Sequence, residues 1–293
     1  MSDTMTSLRH KIDSAANLQS VVRTMKAVAA SSIGQYENAL RSLDDYYRTV
    51  QLGLTACLRQ NAPAVPSSTL QKKADGIGAI VFGSDQGLVG QFNDVMVDFV
   101  DTTLALLPGK KMVWAVGERI ESRLAETKMV AERSFSLPNS TSTISILVGE
   151  ILIAIEAIRE QGSVTQIYLF YNRRISGSTY APVSRRLLPF DDVWRRDLAV
   201  VDWPTKNLPE IMNQKNEALL AFVREYLFVT VFMACAQSLA SENASRLSAM
   251  QRAEKNIEEL LDDLNRSFHQ QRQSGIDEEL FDVISGFAAF VKS

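Results

Sequence analysis

The sequence predicts an α/β protein: a central domain of alternating strands and helices carried by a long antiparallel coiled coil of its amino- and carboxyl-terminal helices. Three observations predict it. All eight prolines of the 293-residue chain fall between Pro63 and Pro209, so both ends lack the strongest helix breaker. The first end carries apolar residues at a seven-residue repeat. Between the ends, short apolar runs alternate with helical periodicity, the pattern of βαβ units. Ends of one build that are more than a hundred residues apart can pair only if the two termini return to each other, so the expected object is a helical rod with a side domain.

Residues 1–59 form the first segment. One seam runs through Leu8, Ala15, Val22, Ala29, Tyr36, Leu43, Val50 and Cys57, and Leu18, Met25, Ile33, Leu40, Tyr47 and Leu54 fill the second seam. A helix from Asp3 to Leu58 would be roughly 85 Å long at 1.5 Å per residue, too long to be packed by a small domain alone. Asn61 to Asp75, with Pro63 and Pro66, reads as a linker. The central domain, 75–203, opens with a strand at Ile77–Phe82, then a helix over Gln91–Leu107 stopped by Pro108 and Gly109. Lys111–Val116 repeats the strand signal, Glu118–Glu126 the helix, and Thr141–Gln161 is a longer amphipathic helix ended by Gly162. Gln166–Arg174 and Ser178–Leu188 turn around Gly177 as an antiparallel hairpin added to a parallel sheet, which makes the domain Rossmann-like. Residues 207–293 return to helix, with Gly275 and Gly286 as interruptions. Ile276, Leu280, Val283, Ile284, Phe287, Ala288 and Val291 give its end an apolar stripe that no later segment can cover, so a partner is expected there.

Composition narrows the function. With 46% hydrophobic and 22% charged residues the chain can build a full core, and a net charge of -3 argues against a nucleic-acid partner. Cys57 and Cys235 have no metal-ligand spacing and read as free thiols in a reducing compartment. Met1 to Lys11 resembles neither a secretory nor an organelle import signal, which points to a cytoplasmic, prokaryotic protein. The apolar run Tyr226–Ala236 is about half of the roughly 20 residues that cross a bilayer, so it reads as core helix.

The loop Gly83-Ser84-Asp85-Gln86-Gly87-Leu88-Val89-Gly90 follows a strand and opens a helix, where glycine-rich loops hold phosphates. Its spacing is neither G-x-G-x-x-G nor G-x-x-x-x-G-K-[ST], and it lacks a lysine for a phosphate, so no direct nucleotide binding is expected. His10 and His269 stand alone on helices, and Glu254 to Asp263 is a charged, solvated helix face. Nothing in the pattern calls for catalytic residues, a cofactor or a metal.

Further along, Ser241-Glu242, Ala244, Arg246, Ala249-Met250, Ala253, Asn256, Leu264, Arg272-Gln273, Ile276, Glu279 and Ser285-Gly286 keep one unbroken spacing. This run resembles the carboxyl-terminal signature of the gamma subunit of F-type ATP synthases. Ser84-Asp85, Gly87-Leu88, Gly90 and Asn93 resemble that family's S-D-R-G-L-C-G-x-x-N loop, Tyr171-Asn172 with Leu187-Leu188-Pro189 its hairpin, and Ile12, Ser14, Asn17, Gln19, Met25, Lys26, Val28 and Ala29 its first motif. Gln86 replaces the loop Arg and Val89 its Cys, Ser20 and Thr24 replace a Lys and an Ala, and Asp277 stands where a Thr is usual. These departures mark a divergent branch, such as the alternate F-type ATPase that some prokaryotes carry beside the ordinary enzyme.

The resemblance implies a non-catalytic rotor shaft on the cytoplasmic face of the membrane. Its tip would turn inside the alpha/beta hexamer, and its central domain would dock on the epsilon subunit and the c-ring. It further implies that Met25, Glu242, Arg246, Arg272, Gln273, Ile284 and Phe287 contact the hexamer. Core packing explains Met25 equally well, and Glu242 with Arg246, four residues apart, also fits an ordinary surface pair. Two other classes stay open on the residues alone: a coiled-coil scaffold without a rotary role, and a dinucleotide enzyme on the central sheet, which leaves the helical ends unexplained.

Overall fold

The structure, a computed structural model, describes residues 5–60, 76–191, 194, 196, 198, 201, 203–207, 209 and 215–291, without the side chains of 60, 215, 216 and 286–291. The expected linker Asn61–Asp75 and the start of the last segment, 208 and 210–214, lie outside the described residues. Elements in chain order are α1 (Met5–Gln60), β1 (Ile77–Phe82), α2 (Phe92–Ala105), β2 (Lys111–Val116), α3 (Glu118–Glu126), β3 (Arg133–Phe135), α4 (Ile144–Glu160), β4 (Gln166–Ser176), β5 (Thr179–Leu188) and α5 (Lys215–Val291). Residues up to Val28 with those from Leu247 onward make one compact unit, and Ala29–Arg246 make a second.

In the larger unit a five-stranded sheet runs in the order β3-β2-β1-β4-β5. β1 pairs in parallel with β2 and β4, β2 in parallel with β3, and β5 is the antiparallel edge. α2 and α3 cover one face, with Met96, Val97, Val100, Ile120 and Leu124 on Ala79, Val81 and Val113. α4, α1 and α5 cover the other, where Ile144, Val148, Ile151, Tyr36, Phe232, Cys235 and Leu239 meet Ile80, Phe82, Leu169 and Leu187. Covered on both faces, β1 is buried throughout, which is why it reads as an unbroken apolar run rather than an alternating one. The run Tyr226–Ala236 is core: Tyr226, Val229, Val231, Cys235 and Ala236 are all buried. β3 is a strand that sequence reasoning missed, since three residues hold too little periodicity to register.

α1 and α5 pair antiparallel within each unit. In the larger one Tyr46 Oη donates to Glu225 Oε2 at 2.7 Å, and Tyr47 and Tyr226 have ring centroids 5.8 Å apart. A methyl group on Gly53 would sit 2.3 Å from the Phe222 ring, so the two helices approach closely there only because that residue is glycine. In the smaller unit Arg23 Nε donates to Glu254 Oε1 at 2.9 Å, and the Arg9 guanidinium lies 5.8 Å from the centre of the Phe268 ring.

The first seam holds: Leu8, Ala15, Val22, Ala29, Tyr36, Val50 and Cys57 are buried, and Leu43 packs on the core. The second seam is corrected near the amino end, where Leu18 is 54% exposed and Gln19 and Lys26 are partly buried. Stepping back by sevens from Leu54, Tyr47, Leu40 and Ile33 gives Lys26, Gln19, Ile12 and Met5, all partly buried, so the seam there is partly polar. Leu18 and Met25 flank it by one position.

Candidate functional site

In an open α/β sheet a ligand enters the crevice at the carboxyl ends of the strands, where the winding reverses. Here that point lies between β1 and β4, and the β1–α2 loop carries the glycine-rich motif. Its polar groups are turned inward. Ser84 N donates to Asn93 Oδ1 at 3.1 Å, Asn93 Nδ2 donates back to Ser84 Oγ at 2.8 Å, and Ser84 Oγ donates to the Gln86 carbonyl at 2.9 Å. The Asp85 carboxylate accepts from Glu118 N at 3.0 Å and Leu137 N at 3.2 Å, tying the loop to α3 and to the chain beyond β3. Gly117 permits this: it has φ 117°, and a Cβ there would lie 2.7 Å from the Ser84 carbonyl oxygen.

α5 closes the rest of the crevice. Ser241 Oγ donates to the Asn172 carbonyl of β4 at 3.0 Å, and Ser245 Oγ donates to the Val89 carbonyl of the loop at 2.5 Å. Asn172 Nδ2 donates across to the Phe92 carbonyl at the start of α2, 3.3 Å away. The position where a nucleotide-binding sheet holds its ligand is therefore occupied by the chain's own helix. Serines at 241 and 245 stand one above the other on one helix face, which is why this spacing serves as a clamp.

Glu242 and Arg246, between and beside these serines, were expected at a partner's loop. The structure places Glu242 inside the chain, 5% exposed, with its Oε1 accepting from Arg246 Nη2 at 2.7 Å. Burial pushes the Glu242 carboxyl up to about 7, opposed by the Arg246 charge and its hydrogen bond and assisted by the nearby Asp85. Burial raises the Tyr36 phenol, and burial raises the Cys235 thiol, each with a smaller contribution from the Glu242 charge. Glu242 is thus buried in the free chain, while Arg246 stays partly exposed beside it. The pair lies beside the serine clamp, and the Arg246 cation four residues away keeps the buried ionisable group tolerable there.

The remaining expected contacts lie in the smaller unit. Met25 is half-buried against Val22, Met250 and Ile257. Arg272 and Gln273 are exposed on α5, as is Ile284, and the Phe287 side chain lies outside the described residues. Seam burial on α5 proceeds through Met250, Glu254, Ile257, Leu261, Leu264, Phe268, Gln271 and Gly275 and then stops. Beyond it Ile276, Leu280, Phe281, Val283 and Ile284 are all more than half exposed. Phe281 was missed at the sequence level because it sits at the border of the stripe.

An α/β domain whose ligand crevice is closed by one of two paired terminal helices defines a class of proteins in which a sheet domain is built onto a long helical pair. The chain belongs to the ATP synthase family, whose model matches residues 4–290. Among its curated relatives are the ATP synthase gamma chain of Polynucleobacter asymbioticus, 24% identical over 96% of this chain and 98% of the relative, and that of Methylibium petroleiphilum, 27% identical over 96% and 97%. Among solved structures, a chain of the Euglena gracilis mitochondrial ATP synthase (OSCP/F1/c-ring, rotational state 3) superposes with a TM-score of 0.70 at 17% identity, covering 98% of this chain and 94% of that one. A chain from the central stalk and c-ring of the Tetrahymena thermophila mitochondrial ATP synthase does so at 0.55 and 21%, covering 80% and 99%.

Proposed function

We propose that this chain is the gamma subunit, the central rotor shaft, of an F-type ATP synthase on the cytoplasmic face of a prokaryotic membrane, coupling ion flow through the membrane sector to ATP synthesis or hydrolysis in the alpha/beta hexamer. The observation that carries this reading is the end of α5, where the seam stops at Gly275 and apolar side chains continue uncovered. Exposed apolar surface of that kind belongs inside a partner. An apolar contact also suits turning, because it is non-directional and imposes lower angular barriers than fixed hydrogen bonds. In this reading Met25, Arg272, Gln273, Ile284 and Phe287 face the hexamer, and the central domain docks on the epsilon subunit and the c-ring. The catalytic sites belong to the partners.

The mechanism is one of differential contact. An asymmetric shaft presents a different face to each catalytic site, and each site shifts between open and closed states by the difference in contact energy. Ion flow supplies about 2.3 kcal/mol per charge per 100 mV, so several ions must act on the shaft for each ATP. Co-expression with alpha and beta subunits tests the reading. The expected outcome is one complex that contains this chain and loses most of its ATP hydrolysis when the chain is left out. A hexamer that never retains the chain would refute it and favour the non-rotary scaffold.

A further inference from the structure

Arg185 stands where the sheet meets the two long helices. On β5 it alternates with Val183 and Leu187 and shares their face, whose side chains join the core made with α1 and α5. An apolar residue would continue that pattern, yet the chain puts a guanidinium there, half-buried. Its Nη2 donates to Tyr47 Oη of α1 at 2.9 Å and to Tyr226 Oη of α5 at 3.0 Å. One nitrogen with two hydrogens thus joins an edge strand to both helices. Tyr226 is buried, and the edge-on rings of Phe190 and Trp194, themselves stacked with centroids 4.2 Å apart, hold it in place.

Two further hydrogen bonds run between the same hairpin and the helices. Arg174 Nη1 donates to Glu37 Oε1 of α1, and Ser241 Oγ of α5 donates to the Asn172 carbonyl. Apolar packing surrounds these bonds. Packing resists separation, but it is non-directional and opposes a twist only weakly, whereas a hydrogen bond weakens steeply when it is bent and so holds an angle. Slip of either helix by one turn, about 5.4 Å, would also break that helix's bond to Arg185.

We infer that Arg185 is a positioning residue for torque: it locks the β4–β5 hairpin to α1 and α5, so that sheet and helix pair turn through the same angle. This rests on the shaft reading above and adds the point at which load crosses between domain and helices. A shaft needs low angular barriers against its housing and a high one at its own joint. Directional bonds from one guanidinium to two helices supply the second.

The test uses the full-length chain in complex with alpha and beta subunits fixed to glass, with a gold rod on the central domain through Leu106→Cys. Without ATP, the variance of the rod's angle about its resting position reads the torsional stiffness between domain and hexamer. Arg185→Met keeps the apolar stem and loses two of the four bonds named above, so the variance should rise by up to about twofold while unloaded ATP hydrolysis stays at the wild-type rate. Tyr47→Phe with Tyr226→Phe removes the same bonds from the other side. It should give the same rise, and should add nothing when combined with Arg185→Met. This phenol pair decides the question where Arg185→Met fails to assemble. A wild-type variance in the phenol pair overturns the lock, and ATP-driven rotation of the wild-type rod in the same chamber leaves the shaft reading intact. A wild-type rod that never turns with ATP overturns both.

Discussion

Glu242 ionises against its surroundings, and the consequence is measurable. Its carboxyl stands at about 7 in the folded chain and returns to the ordinary value of 4.5 on unfolding. Between those values the folded state holds a proton that the unfolded state has released, so stability falls as pH rises through this window and is level above it. Glu242→Gln removes that contribution. From about pH 5 to about pH 8 the variant should gain on the wild type by on the order of 2 kcal/mol in urea unfolding, and parallel curves would count against a buried, raised carboxyl. Gly117 supplies a second residue-scale prediction. Gly117→Ala combines an unfavourable positive φ with a Cβ 2.7 Å from the Ser84 carbonyl, and should cost about 2–3 kcal/mol. An unchanged urea midpoint would show that the Ser84 loop does not depend on that backbone shape.

At the scale of elements, the clamp between α5 and the β1–α2 loop is the feature to perturb. Ser245→Ala leaves the buried Val89 carbonyl with only the long hydrogen bond from Phe92 N at 3.4 Å and should lower stability by about 1 kcal/mol, with faster amide exchange in the loop at 84–90 as the local signature. Met250, 2% exposed in the smaller unit, is one of its few buried apolar side chains, and Met250→Ala should cost about 2–4 kcal/mol, read as loss of exchange protection in α1 up to Val28. Much of this architecture was legible beforehand. The proline-free ends and the sevens from Leu8 to Cys57 announce the helix pair, and the fully buried β1 announces a doubly covered sheet. Two things were not legible. Leu18 looks like a seam residue because apolar character outweighs phase, whereas phase alone assigns Gln19 and Lys26 to the seam. The inward turn of Glu242 depends on packing against β4 and the loop, which no local spacing in α5 encodes: an i,i+4 Glu–Arg pair looks the same in solvent as beneath a sheet.

For the whole molecule, the two paired helices and the domain have a single joint use in the proposed complex: what happens at the domain must reach the bare end of α5. Arg272 and Gln273, exposed beside that end, should matter for assembly more than for folding. Arg272→Ala with Gln273→Ala is expected to leave thermal unfolding of the free chain unchanged and to reduce ATP turnover of the complex or its recovery by co-purification. Unchanged turnover and recovery would remove both residues from the contact surface. The most direct test of the shaft itself is to watch it turn. Leu106 is 82% exposed on the central domain, and Cys57 and Cys235 are both buried, so Leu106→Cys offers one accessible thiol for a gold-rod label on a hexamer fixed to glass. Addition of ATP should drive stepwise, unidirectional rotation of the label that stops when ATP is removed. Full ATP hydrolysis by the labelled complex with a stationary rod would contradict the account.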